Sequence, residues 1–181
     1  MRKTLLRIWT FIKRRKIIST LLFIILIGFI LPQQMIIPVK GADEKSWNHN
    51  SFWYYPWGKS VVHKGIDIFA HEGTPVLASI YGIVVYNGYN EMGGNTLVIL
   101  GPRWKLHYYA HLYTTYVGIG SFVSTGDMIA EVGQTGNAMG KSPHLHYSIA
   151  TLFPYFWKID STHQGWKKML YLDPEEYILN K

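Results

Sequence analysis

Between Val61 and Ile149 no run of ten or more residues has a clean helical period; short apolar runs alternate instead with glycine-containing turns. That alternation is the pattern of an all-β domain, a compact antiparallel sheet or sandwich. The spacing predicts strands over 75–80, 83–86, 96–100, 106–111, 128–132 and 144–149. Turns fall at Tyr81-Gly82, Asn87-Gly88, Gly93-Gly94, Gly101-Pro102, Thr125-Gly126 and the glycines from Gly118 to Gly136. The 13 Tyr, 8 Phe and 7 Trp favour strands, and 17 Gly with 8 Pro supply the turns. Near the end, Asp173-Pro174-Glu-Glu-Tyr-Ile-Leu179 reads as a short helix capped by Asp173, with Pro174 at its first position.

The net charge of +7 would suggest a nucleic-acid partner until it is located. Residues 1–16 carry seven Lys/Arg and no acid, whereas from Asp43 onward 10 Lys/Arg face 11 Asp/Glu, a net of −1. A nucleic-acid-binding domain carries its own positive footprint, so no nucleic-acid partner is expected. After the basic segment come 15 almost wholly apolar residues, 17–31, or 21 if the run continues to Ile37. A spanning helix needs about 20, so 17–37 reads as a transmembrane signal-anchor, with a signal peptide as the alternative. Either places residues 1–16 in the cytoplasm and exports the rest. The chain is thus expected as a single-pass protein of the inner (cytoplasmic) membrane, its domain in the periplasm or extracellular space, and secreted if the segment is cleaved. Residues 38–60, polar and then aromatic, read as a linker running into the domain edge.

No cysteine is present, which removes disulfides, thiolate zinc sites and cysteine nucleophiles together. The β-region holds three groupings of side chains able to do chemistry. His63-Lys-Gly-Ile-Asp67 would be about 13 Å end to end in a straight strand; ligands of one metal need a bend between them, which Gly65 permits. Such a pair is more often a surface His near an Asp. In Ser142-Pro-His144-Leu-His146, strand alternation puts both imidazoles on one face and Leu145 on the other. Two histidines on a buried-type strand need partners. Alternation also groups His107, Tyr109 and His111, although only one of those two histidines is needed. His49, His71 and His163 sit in polar settings and read as solvated. Two His and one Asp would leave a fourth zinc position open for water, and a remaining His could orient or deprotonate that water.

These residues, with Glu72-Gly-Thr-Pro-Val-Leu-Ala78, Gly94-Asn95-Thr-Leu-Val-Ile, Tyr109-Ala-His111-Leu, Val123-Ser-Thr-Gly126-Asp-Met-Ile-Ala, Val132-Gly-Gln-Thr-Gly136-Asn and Pro143-His-Leu-His146, resemble the M23 (LytM/lysostaphin-type) metallopeptidase family. The resemblance runs from about His63 to Ile149. It implies a LytM-like domain of duplicated-hybrid-motif type over 61–181, preceded by one hydrophobic helix. It also implies one Zn2+ per chain held by His63, Asp67 and His146, with His111 and His144 as the non-ligand catalytic pair. The activity implied is zinc-dependent hydrolysis of stem peptides or cross-links in bacterial peptidoglycan, with an envelope protein as a candidate regulatory partner. The stretch before His63 and the aromatic run 153–157 depart from the family's pattern. The competing readings are a non-catalytic LytM-like activator of wall hydrolases, a lipoyl-type binding module, which would leave His144 and His146 unexplained, and a secreted enzyme directed at competitors.

Overall fold

The computed structural model describes residues 4, 9–10 and 13–179. Arg2, Lys3 and Arg7 of the basic segment lie outside them. The architecture is mostly antiparallel β. In chain order the strands are β1 (Ile66–Phe69), β2 (Pro75–Leu77), β3 (Gly82–Asn90), β4 (Gly94–Gly101) and β5 (Lys105–Thr115). After these come β6 (Phe122–Val123), β7 (Met128–Val132), β8 (His144–Thr151) and β9 (Tyr171–Leu172). Among the described residues all nine join one sheet in the order β1-β8-β5-β4-β3-β6, with β7 bridging β5 and β2, and β9 beside β8. Helices α1 (Lys16–Ile30) and α2 (Pro174–Leu179) flank it. Asp173 Oδ1 accepts the Glu175 amide at the start of α2, 3.0 Å away.

One face of β8 and β1 closes the core: Ile66, Ile68, Leu145, Tyr147 and Ile149 are essentially inaccessible, packed with Leu97, Ile99 and Leu112. Their alternation leaves Asp67, His146 and Ser148 on the other face. Behind the sheet runs a buried polar chain. His107 Nδ1 meets the Tyr147 hydroxyl at 2.7 Å, that hydroxyl meets Ser79 Oγ at 2.6 Å, and Ser79 Oγ meets Tyr109 at 2.8 Å. Burial, reinforced by Lys105, pushes His107 from 6.5 down to about 3.

A histidine that must enter the fold neutral opposes folding once the unfolded chain protonates it. The folded pKa is the lower one, so this stability is whole above pH 6.5 and drains as pH falls toward about 3. The loss is on the order of 3 kcal/mol by pH 4. A His107→Phe variant should therefore show a shallower fall in urea midpoint between pH 7 and pH 4 than the native chain; parallel curves would refute this.

The membrane span expected over 17–37 does not form. Helix α1 has 15 residues, about 22 Å at 1.5 Å per residue, against the roughly 30 Å of a bilayer's hydrocarbon. Among the described residues no helix is long and apolar enough to cross a membrane. That overturns the expected single-pass placement in the inner membrane. The physical reason lies in where the helix ends. Leu31 turns extended (φ −59°, ψ 137°) ahead of Pro32, and Met35 and Val39 beyond it are buried in the β core. The Ile36 amide donates to the Ser79 carbonyl at 3.0 Å, and the Leu77 amide to that of Pro38 at 2.9 Å.

The segment read as linker is likewise packed on the sheet, with Trp47 and Ser51 buried. Helix α1 itself rests on the aromatic run after β8: Phe29 meets Phe153 at 4.9 Å between ring centroids, and Trp104 Nε1 donates to the Ile25 carbonyl at 2.9 Å. Gly28 allows this approach, since a Cβ there would lie 2.4 Å from the Trp104 ring.

Candidate metal centre and catalytic cleft

Three neighbouring strands build the site. In the antiparallel pair β1–β8, Asp67 lies directly opposite His146 and Phe69 opposite His144, so each pair shares a face. His63 reaches the same point from the segment before β1. Gly65 makes this possible by close approach: a Cβ there would stand 2.3 Å from the Tyr147 carbonyl oxygen.

His63 Nε2 lies 3.1 Å from both Asp67 Oδ1 and His146 Nδ1, and His146 Nδ1 is 2.8 Å from Asp67 Oδ1. Among the described residues this is the one group of three whose donor atoms all fall within 4.8 Å of one another. Ligand atoms about 2.0 Å from a tetrahedral zinc stand roughly 3.3 Å apart. The triangle therefore already has the dimensions of one face of such a site, and its two nitrogens and one oxygen suit zinc.

The surroundings fix the tautomers. His63 is 1% exposed, and its Nδ1–H donates to the Ser51 carbonyl at 3.0 Å. A carbonyl can only accept, so the lone pair of His63 is on Nε2, aimed at the centre. Burial would raise the Asp67 carboxyl, but the His146 and His63 imidazoles set against it outweigh burial and hold the group well below the usual carboxylate range. Burial lowers His146. The Trp57 ring stacks on His63 with centroids 4.2 Å apart.

His111 and His144 stand beside the triangle. Their ring centroids are 5.0 Å apart, His111 is 6.0 Å from His146, and His144 Nε2 is 3.9 Å from Asp67 Oδ2. Each donates Nδ1–H to a backbone carbonyl, His111 to Thr135 at 2.9 Å and His144 to Ser142 at 2.8 Å. With Nδ1 so engaged, each ring turns its Nε2 to the cleft. Burial first, then His146, push His111 down to about 4 against the opposing bond to Thr135.

Simple alternation misplaces His111. It groups His111 with His107 and Tyr109, yet those two face the core while His111 lines the cleft with Leu106, Tyr108 and Ala110. The cause is a bulge in β5. Leu97 pairs with Tyr109 and Asn95 with Leu112, so Ala110 and His111 together oppose Thr96. His111 takes a left-handed conformation, φ 62°, its amide donating to the Gly93 carbonyl at 2.7 Å. The extra residue reverses the parity of the strand.

All five expected site residues line one cleft of ≈ 840 Å³. His49, His71 and His163 lie outside it; His49 pairs with Glu175, and Tyr55 stacks on His163. The carbonyls of Ser51, Thr135 and Ser142 carry no side-chain signal and could not be found from sequence. Trp57 was visible only as one of several aromatics.

Residues 61–155 match Peptidase family M23. The chain belongs to that family. Among M23 relatives, it is 40% identical over 100 residues to the L-Ala–D-Glu endopeptidase of Bacillus subtilis (strain 168), a match covering 51% of this chain and 31% of that protein. It is 37% identical over 92 residues to the peptidoglycan DD-endopeptidase ShyC of Vibrio cholerae, covering 51% of this chain and 21% of that one. The match thus spans less than a third of either relative. The catalytic domain of the antimicrobial peptidase lysostaphin from Staphylococcus simulans superimposes with a TM-score of 0.59 at 26% identity, covering 74% of this chain and 93% of that domain. A zinc-containing peptidase from Vibrio cholerae gives a TM-score of 0.54 at 29% identity, covering 65% of this chain and 36% of that one.

Proposed function

We propose that this M23 chain is a zinc-dependent endopeptidase that hydrolyses cross-links or stem peptides of bacterial peptidoglycan. The observation that carries the reading is the convergence of His63, Asp67 and His146 on one point, with two further imidazole nitrogens facing the same cleft. The names of the relatives, endopeptidases of L-Ala–D-Glu and D,D bonds, indicate the substrate class.

In this reading His63 Nε2, Asp67 Oδ1 and His146 Nδ1 hold one Zn2+. A bound zinc ion would supply Lewis-acid polarisation of the scissile carbonyl and of the attacking water. His111 Nε2 accepts a proton from that water as its oxygen attacks. His111 then passes that proton to the departing amine, while His144, protonated on Nε2 from solvent, donates a hydrogen bond to the developing oxyanion and keeps its proton. The Ser51, Thr135 and Ser142 carbonyls accept from Nδ1 of the three rings, which leaves each Nε2 turned to the centre or the cleft.

The test is digestion of purified sacculi by the zinc-loaded chain, with released peptides identified by mass spectrometry. New amino termini at stem or bridge peptides, suppressed by a chelator, are expected. Full zinc loading with no new termini would refute the peptidase and favour a non-catalytic activator.

A further inference from the structure

The cleft concentrates positive charge in a domain that has none to spare. From Asp43 onward there are 10 Lys/Arg and 11 Asp/Glu. Three of those cations, Lys59, Lys64 and Lys141, line the cleft, but only one of the acids, Asp67, does so. That acid is engaged by His63 and His146. Among the described residues no carboxylate comes within 4.0 Å of any of the three lysines, and the ion pairs that do form involve other cations.

The lysines arrive on two separate segments. Lys59 and Lys64 belong to the stretch that carries Trp57 over His63, and the Lys64 ammonium is aimed by the carbonyls of Ser60, 2.8 Å away, and Val62, 3.3 Å away. Lys141 belongs to the loop before β8, its amide bound to the Ala138 carbonyl at 2.9 Å. Like charges brought to one concave surface without counter-charges raise the local concentration of anions, and low-dielectric walls focus the field. A metal ion held by the triangle would add to the same sign.

We infer that the cleft selects an anionic peptide, one bearing free carboxylates beside the scissile bond, over a neutral bridge such as oligoglycine. Lys59 and Lys141 bind those carboxylates from the two sides of the cleft-lining loops. The inference rests on the peptidase reading and names the substrate for it. Being a matter of charge, the preference weakens with ionic strength.

The experiment uses the full zinc-loaded chain and two synthetic stem tetrapeptides, identical except that one has its side-chain and terminal carboxylates amidated. Affinity is read by calorimetry and turnover by amine release, each at low and high salt. The free-acid peptide is expected to be favoured in both. Lys59→Gln and Lys141→Gln should each shrink the acid-to-amide ratio by roughly three- to tenfold. Lys64 is left in place because its ammonium also closes the loop on Ser60 and Val62. Equal affinity for the two peptides, or a ratio unmoved by either substitution, overturns the inference. Selective binding without hydrolysis of either peptide would sustain it while refuting the peptidase itself.

Discussion

Alanine at His63 or His146 is expected to abolish stoichiometric zinc binding and activity together, whereas His111→Ala should retain one zinc and lose turnover by about 10²- to 10⁴-fold. The difference follows from position. His63 Nε2 and His146 Nδ1 are two corners of the donor triangle, and loss of either leaves two protein ligands where a catalytic zinc site uses three. The His111 ring stands outside the triangle, anchored to Thr135 by the nitrogen that faces away from the cleft. Stability separates the classes further. Zinc held by the triangle would join His63 and Asp67 to a residue 79 or more positions later in the chain, so binding is expected to stabilise the native chain by mass action. Added zinc should raise the melting temperature of the native chain and of His111→Ala, and leave His63→Ala and His146→Ala unmoved. Metal analysis and melting with and without zinc check this. A His111→Ala chain with native turnover, or one without metal, would overturn the roles assigned.

The second large effect concerns where the working unit begins. The residues matching the family start at 61, but the packed structure starts earlier. Met35, Val39 and Trp47 are buried in the same core as the strands. Val39 bridges Val76, and backbone hydrogen bonds tie Trp53 to His63 and His63 to Tyr54 at 2.7 and 3.0 Å. A fragment of residues 61–181 loses all of these. Three large buried side chains at about 1.5–3 kcal/mol each amount to a large part of the ~5–15 kcal/mol that a domain typically possesses. The fragment is expected to be unfolded or molten at 25 °C, while residues 33–181 fold. Trp47→Ala alone should cost about 3–5 kcal/mol. The truncation also removes the Ser51 carbonyl that orients His63, so any fragment that still folds should bind zinc some 10- to 100-fold more weakly. Circular dichroism with urea titration of the two fragments decides the matter; equal midpoints would contradict it.

What could be read in the sequence, and what could not, divides along physical lines. The antiparallel β character was legible because glycine turns punctuate apolar runs, and β7 appears over the residues the pattern indicates. Strand β1 was missed because Ile66–Phe69 is four residues long and begins right after the Lys64-Gly65 turn. His144 and His146 share a face as alternation requires, with Leu145 buried between them. His111 defeats alternation because a bulge depends on cross-strand register, which a single strand's pattern does not encode. The apolar stretch after Lys16 was misread for a related reason. Hydropathy does not show where a helix ends: helix α1 stops at Ile30, short of a span, and Met35 beyond it is buried in the β core. The carbonyls that accept from the imidazole Nδ1 atoms belong to Ser51, Thr135 and Ser142, where any residue but the local backbone geometry would serve.

The most direct test of the central claim is a zinc titration of the chelator-treated chain against peptide release from sacculi. Release should rise linearly from near zero, reach its plateau at one zinc per chain, and track the metal retained after dialysis. Release that survives chelation, or a plateau unrelated to one equivalent, would contradict a single zinc held by His63, Asp67 and His146 as the seat of the activity.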